Sequence, residues 1–184
     1  MEYIFNINYK PTVTVPQSKV GLENGTTKEL VCDVDAKPDA KIQWLKDGTD
    51  IENATVKTYT VNNIDSKNPA KFTCKATNDY GSDEKVIEVK KIKAPTVTIE
   101  NNNITKTEGD ALTLTCTGAG DPKPTTYNWT YPDGTTATGA AITIAKLDST
   151  HNGQFTCIAS SKYGDKVFNA ESPATANVIV NCEL

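Results

Sequence analysis

The chain has 184 residues and a formal net charge of −4, and all 19 of its basic side chains are lysines. Because no basic stripe is available to neutralise phosphates, we expect no nucleic-acid partner. The absence of arginine also disfavours planar, bidentate recognition of carboxylate, sulfate or phosphate.

The two ends of the chain carry no targeting or membrane signal. The opening MEYIFNINYK lacks the basic start and sustained apolar core of a signal peptide. No stretch approaches the roughly 20 apolar residues that cross a bilayer as a helix. We expect the chain to be a piece of a longer protein.

One seventeen-residue pattern occurs twice. DSKNPAKFTCKATNDYG at 65–81 and DSTHNGQFTCIASSKYG at 148–164 share Asp, Ser, Phe, Thr, Cys, Ala, Tyr and Gly at matching places. The offset of about eighty residues exceeds the roughly 20–50 of solenoid repeats, and it is long enough for a domain with its own core. The repeat predicts domains at 10–92 and 93–184, with residues 1–9 as a first strand or the tail of a preceding domain.

The hydrophobic period within each copy is two, which predicts strands. Three runs of the first copy place alternate residues inward, in chain order KELVCDV, KIQWL and KFTCKA. The second copy contains a matching run for each. Asp47-Gly48 and Asp133-Gly134 are turn signals after the two tryptophan-containing runs. Many short strands with regular turns predict an all-β fold of two antiparallel sandwiches. The predicted inward residues are Leu30, Cys32, Val34, Ile42, Trp44, Phe72, Cys74 and Ala76, then Leu112, Leu114, Cys116, Tyr127, Trp129, Tyr131, Phe155, Cys157 and Ala159.

Four of the five cysteines fall into two pairs with nearly equal spacing, Cys32 with Cys74 and Cys116 with Cys157. Thin cores of this size are often reinforced covalently. Closing a loop of about 40 residues would stabilise each domain by roughly 4 kcal/mol in the chain-entropy model. Cys182 is left over. It either pairs outside this piece or with another chain, or it remains a free thiol.

The order Cys, then Trp about a dozen residues on, then Cys about thirty further resembles the immunoglobulin superfamily, and it occurs twice. The resemblance implies an inter-sheet disulfide packed against each core tryptophan, Trp44 and Trp129. The short span between cysteines leaves no room for the extra strands of variable-type domains. The two predicted domains are therefore similar to the I-set or C2-set domains that occur in tandem in cell-adhesion molecules.

The motif Asn78-Asp79-Tyr80-Gly81 and its echo Ser161-Lys162-Tyr163-Gly164 resemble the F–G hairpin turn of I-set domains. Loops at sandwich ends are common recognition surfaces, so Tyr80 and Tyr163 are candidate partner-binding residues. The chain departs from the family before each second cysteine, where phenylalanine stands in place of the usual corner tyrosine, at Phe72 and Phe155.

The second domain carries a longer stretch before its last strand, DKVFNAESPATANVIV. Two readings are open. The segment around Phe168 to Thr175 could present Phe168 to a partner, or it could be a longer hairpin or an irregular edge strand broken by proline.

Four Asn-x-Ser/Thr sequons make Asn24, Asn53, Asn103 and Asn128 candidates for N-glycosylation. Other sites are disfavoured. His151, the single histidine, lies before a strand with no nucleophile motif, and the acidic run Asp33, Asp35 and Asp39 places carboxylates on an outer face. We expect no enzyme activity, no metal, no cofactor and no small-molecule substrate.

These observations favour a fragment of an extracellular adhesion or recognition receptor that binds a cell-surface protein of the same kind, either a related protein or a second copy of itself. The parent protein is then expected at the cell surface and membrane-anchored. Two alternatives stay open, an intracellular muscle or cytoskeletal scaffold and a receptor-kinase ectodomain or secreted immune protein. Paired cysteines favour an oxidising compartment and hence an extracellular location.

Overall fold

The computed structural model describes residues 7–64 and 69–182, and residues 1–6 of the predicted N-terminal segment lie outside that range. The chain divides into two compact units, Met1–Ile92 and Lys93–Leu184. No helix among the described residues has the length and apolar character needed to span a membrane.

The first unit is built of short strands that form two layers. These strands are β1 (Tyr9–Thr14), β2 (Lys19–Glu23), β3 (Lys28–Val31), β4 (Asp33–Lys37), β5 (Lys41–Lys46), β6 (Thr49–Asp50), β7 (Thr58–Val61), β8 (Ala70–Asn78) and β9 (Gly81–Ile99), of which the part up to Ile92 belongs to this unit. In one layer, β3 pairs with β7 and β4 pairs with β1. The other layer has the order β2-β9-β8-β5-β6.

The second unit repeats this plan. Its strands are the end of β9 from Lys93, then β10 (Asn103–Thr107), β11 (Leu112–Asp121), β12 (Thr126–Thr130), β13 (Thr136–Thr138), β14 (Ala141–Ile144), β15 (Gly153–Tyr163), β16 (Lys166–Asn169) and β17 (Ala174–Asn181), with a short 3₁₀ helix at Ser149–His151. One layer pairs β9 with β11 and β11 with β14. The other has the order β10-β17-β15-β12-β13, and β16 also pairs with β15.

The prediction of two sandwiches is confirmed, with one refinement. Most neighbouring strands are antiparallel, but each unit contains one parallel pair, β2 with β9 and β10 with β17. In each unit, a strand near the beginning of the chain therefore lies beside the strand with which the unit ends. These strands are β2 and β9 in the first unit and β10 and β17 in the second. Alternation along a strand does not reveal which neighbour the strand pairs with, so the parallel pairs could not be predicted from the sequence.

Each core is centred on a disulfide and an indole. The structure joins Cys32 to Cys74 and Cys116 to Cys157. Trp44 and Trp129 are both fully buried, and their Nε1 atoms donate to the carbonyl oxygens of Val56 and Gly139, each at 2.9 Å. A buried indole N–H without a partner would be costly, so these bonds allow the ring to sit in the core.

The rings that surround the two indoles differ. In the first unit, Tyr59 lies between Trp44 and Phe72, with ring centroids 6.0 and 5.7 Å away. In the second, Tyr131 packs against Phe155 at 5.1 Å. Phe72 and Phe155 are both buried, so the phenylalanine that replaces the corner tyrosine contributes to the core by packing alone.

Replacing Trp44 with phenylalanine should lower the free energy of unfolding of the first unit by about 2–3 kcal/mol, because it leaves a gap and an unpaired Val56 carbonyl. Urea unfolding followed by far-ultraviolet circular dichroism measures this, while fluorescence of the remaining Trp129 reports on the other unit. Val56→Ala is the control, since that side chain is 62% exposed and its carbonyl is retained. Equal midpoints for Trp44→Phe and the control would contradict the prediction.

Candidate interaction surfaces

The hairpin between β8 and β9 is held by the side chain of Asn78. Its Nδ2 donates to the carbonyls of Tyr9 and Pro38, at 2.8 and 2.9 Å, and its Oδ1 accepts from the backbone N–H of Tyr80. One side chain thus ties the hairpin to β1 and to the loop after β4. The sequence motif predicted the turn but not the anchoring role of Asn78.

Tyr80 is 54% exposed at the tip of this hairpin, and its hydroxyl accepts from Asn8 Nδ2 at 2.7 Å. Its counterpart Tyr163 is only half-exposed. The residue matching Asn78 is Ser161, which is buried and whose Oγ has no hydrogen-bond partner within the described residues. The two hairpins therefore share a backbone plan but differ in how they are anchored.

Of the two readings left open for this segment, the one in which Phe168 is presented to a partner is wrong. Phe168 is 3% exposed and lies in β16, where it pairs with Ser161 of β15, and Lys166 Nζ covers its ring at 4.8 Å from the centroid. The backbone N–H of Ala170 still donates to the carbonyl of Ala159 at 2.9 Å. The segment is an edge strand interrupted at 171–173, as the second reading held.

A signal for this arrangement was present in the sequence. Phe168 and Ala170 before the interruption, and Ala176, Val178 and Val180 after it, all lie on the inward side and are buried. Alternation that resumes after a short polar break indicates one broken strand, whereas a projecting loop has no reason to keep it.

The four sequon asparagines are all exposed. Asn24 lies in a turn closed by hydrogen bonds from Thr26 to the Glu23 carbonyl, and Asn53 lies in a turn with a positive φ of 59°. Asn103 is the first residue of β10. Asn128 is in the middle of β12, beside the buried Trp129 and facing outward. A glycan at any of these positions would project into solvent.

The outward surface of the second unit, formed by β10, β17, β15 and β12, is almost free of charge. We call it the neutral face, and its residues are Asn103, Thr105, Thr126, Asn128, Thr130, Gln154, Thr156, Ile158, Ser160, Thr175, Asn177 and Ile179, together with one charged residue, Lys162, at the end of β15. Two of the four sequons, at Asn103 and Asn128, therefore share one sheet surface.

The corresponding surface of the first unit is charged. On β8, Lys71, Thr73 and Lys75 point outward, and on β9 they lie opposite Glu88, Val86 and Glu84 respectively. We call these six residues the charged face. The alternations in KFTCK and EKVIE carry this pattern, but only the pairing of the two strands shows that lysines and glutamates lie in the same rows.

His151 and the acidic run take part in local hydrogen bonds. His151 lies in the 3₁₀ helix, and its Nδ1 is 2.8 Å from Asp148 Oδ1, so it caps the turn. Hydrogen bonds from Thr150, and then the His151 contact, lower the pKa of Asp148. Asp35 accepts from the hydroxyl of Tyr9 at 2.9 Å. Among the described residues, no three His, Cys, Asp or Glu side chains gather as metal ligands do.

Cys182 is exposed and forms no disulfide within the described residues. A hydrogen bond with Glu108, together with the charge of that carboxylate, raises the pKa of its thiol. The thiolate is the reactive form, so this contact lowers the reactivity of Cys182 at neutral pH.

Two family descriptions match the chain, one in each unit. "Immunoglobulin I-set domain" matches residues 11–90, and "Immunoglobulin domain" matches residues 94–161. Among known proteins, neural cell adhesion molecule 1-A of Xenopus laevis is 30% identical over 183 residues, and neural cell adhesion molecule 1 of Rattus norvegicus is 29% identical over 196. Each match covers 86% of this chain but only 17% and 23% of those proteins, so the chain spans about a fifth of their length.

Two solved structures share the fold. The four immunoglobulin domains of Sidekick-1 match with a TM-score of 0.65 at 20% identity, covering 94% of this chain and 49% of that one. The titin I-band fragment I67–I69 matches with a TM-score of 0.64 at 19% identity, covering 94% and 66%. These two structures fit about equally well, and at such low identity the likeness shows the fold alone.

The link between β1 and β9 should make the first unit sensitive to acid. Asp83 Oδ2 accepts from the backbone N–H of Val13 at 2.8 Å, and this bond is the main cause that holds the pKa of Asp83 below its ordinary 3.8. A depressed carboxyl pKa stabilises the fold above the unfolded value, and the gain is lost as the pH falls through the folded value. Asp83→Asn should therefore flatten the decline in stability from pH 5 downward.

Thermal unfolding of the first unit between pH 5 and pH 2.5 tests this expectation. Asp79→Asn is the matched control, because Asp79 is exposed in the same hairpin and accepts no backbone bond from β1. If Asp79→Asn flattened the pH dependence as much as Asp83→Asn, the bond to Val13 would not be its source.

Proposed function

Because the chain belongs to the immunoglobulin superfamily and consists of two tandem domains of that family, we propose that it is part of an extracellular cell-adhesion or recognition receptor. It acts by binding proteins and catalyses no reaction. The observation that carries the proposal is the similarity to neural cell adhesion molecules, which runs through both domains over 86% of the chain.

The location outside the cell is supported by covalent chemistry. Both cores contain a disulfide, and such bonds persist in oxidising compartments but are rare in the cytosol. All four sequon asparagines are exposed, which is what the glycosylation machinery requires. These features disfavour the intracellular muscle or cytoskeletal scaffold, although the titin fragment has the same fold.

The mode of action follows from the kind of surface that the two domains offer. The described histidine is engaged in a turn, and the exposed sheet surfaces are broad and differ in charge between the two units. Surfaces of this type recognise other proteins. We propose that the partner is a related cell-surface protein of the same superfamily, with the parent protein held at the membrane by a part outside this chain.

The intact mass of the protein secreted from animal cells, before and after enzymatic removal of N-glycans, tests the proposed location. We expect a mass decrease that corresponds to glycans on at least two sequons, and protection of four of the five thiols from alkylation without reduction. Asn128→Gln and Asn103→Gln should each remove one glycan. Asn102→Gln, next to a sequon but outside it, should remove none. An unchanged mass together with five reactive thiols would refute the proposal.

A further inference from the structure

The charged face consists of an uncharged middle row with one lysine–glutamate row on either side of it. Its three rows are Lys71 with Glu88, Thr73 with Val86, and Lys75 with Glu84. Among these six residues both lysines are on β8 and both glutamates on β9, and the row of Lys71 and Glu88 continues to the exposed Lys19 of β2. The middle row is uncharged, and Val86 is 45% exposed within it, with the half-buried Leu45 beyond Thr73 in the same row.

The row formed by Lys75 and Glu84 is available for contact with another molecule. Lys75 and Glu84 are both exposed, and neither forms an ion pair or side-chain hydrogen bond with another described residue. The two charges nevertheless lie opposite each other on strands about 4.8 Å apart. They are held side by side, with their charged ends in solvent.

We propose that the charged face binds the same face of a second copy of this chain. This inference rests on the proposed function and names its partner and surface. Two copies related by a two-fold axis that runs between β8 and β9, parallel to the strands, exchange the positions of those strands. Each Lys75 then faces Glu84 of the other copy, each Lys71 faces Glu88, and each Thr73 faces Val86.

The charges select this axis over the alternative. A two-fold axis perpendicular to the strands, through the row of Thr73 and Val86, would place β8 over β8 with opposite directions. Lys71 would then face Lys75 and Glu84 would face Glu88, and like charges in contact are strongly unfavourable. Self-complementarity of one patch is what an isologous dimer requires, and the first axis alone provides it.

The neutral face of the second unit offers no equivalent arrangement. It lacks the alternating charges, and the sequon at Asn128 lies on β12, opposite Ile158 of β15. A glycan there would cover the surface that corresponds to the charged face. In the first unit, Asn24 and Asn53 lie in turns, so glycans at those positions would leave the charged face open.

The proposed contact is small. A stable interface commonly buries about 800 Å² per partner, and six side chains supply less than this. The pairing is therefore weak for two free molecules and gains strength where many copies are held together. Because the axis is parallel to the strands, both copies of this unit run in the same direction, as two neighbours on one surface would.

Charge reversal tests the proposal on the whole secreted chain, with sedimentation velocity across a range of protein concentrations. Wild type should self-associate, and raising the salt to 1 M should weaken the association. Lys75→Glu and Glu84→Lys should each lose at least tenfold in self-association. An equal mixture of the two variants should recover it, since the reversed charge at position 75 of one chain then faces the reversed charge at position 84 of the other. The double variant K75E/E84K should bind itself but not wild type.

Two controls separate recognition from folding. The double variant keeps opposite charges across β8 and β9, so it controls for the loss of the pair within one chain. Glu29→Lys makes the same change of charge at an exposed position on β3, in the other layer, and should associate as wild type does. Circular dichroism confirms that each variant is folded.

A wild type that stays monomeric at every concentration would overturn the proposal. So would association that the single reversals leave unchanged, because another surface would then be responsible, or a mixture that fails to recover binding. Failure of this self-association can be told apart from failure of the proposed function. A glycosylated, disulfide-bonded monomer would still be an extracellular receptor fragment, whereas a protein without glycans or disulfides would remove the premise itself.

Discussion

The packing of an indole against a disulfide between two layers is the interaction on which each unit depends. Neither layer of a sandwich is stable alone, because its inner side would be exposed to water. In the first unit, the bond from Cys32 to Cys74 holds the layers together, and Trp44 fills the space beside it. The hydrogen bond from the indole to a loop carbonyl then fixes the edge of the sheet. With this centre in place, the outer residues of the same strands are free to vary.

That freedom is visible in the two copies. β8 and β15 bury matching residues, with Phe72, Cys74 and Ala76 in one and Phe155, Cys157 and Ala159 in the other. Of their outward residues only Thr73 and Thr156 are the same, whereas Lys71, Lys75 and Thr77 have become glutamine, isoleucine and serine. Recognition in such a fold is decided by residues that contribute little to stability. One scaffold can therefore present a charged surface in one domain and a neutral surface with a glycan acceptor in the next.

Much of the fold was predictable from alternation alone, because a buried layer requires an apolar residue at every second position. The inward residues of β5, β8, β12 and β15 were assigned correctly on that basis. Strand neighbours were not predictable, since the parallel pairing of β2 with β9 depends on how the chain returns in space. The position of Phe168 was left open because the length of its segment suggested a loop, while the period of its apolar residues indicated a strand. The charged face could be listed residue by residue from the sequence, but its rows depend on the register between β8 and β9.

The parallel pairs have a consequence for how the molecule bears tension. In each unit, a strand near the beginning lies beside the strand near the end and runs in the same direction, so pulling on the two ends of a unit slides these strands past each other. The evenly spaced hydrogen bonds of the parallel pair are then loaded in shear, so they must break together. Once they yield, the disulfide limits the extension. The 42-residue separation of Cys32 and Cys74 withholds about 140 Å of chain in the first unit, at roughly 3.4 Å per residue. A molecule that connects two bodies through such units resists stretching and, once a unit unfolds, lengthens only by the chain outside the disulfide loop.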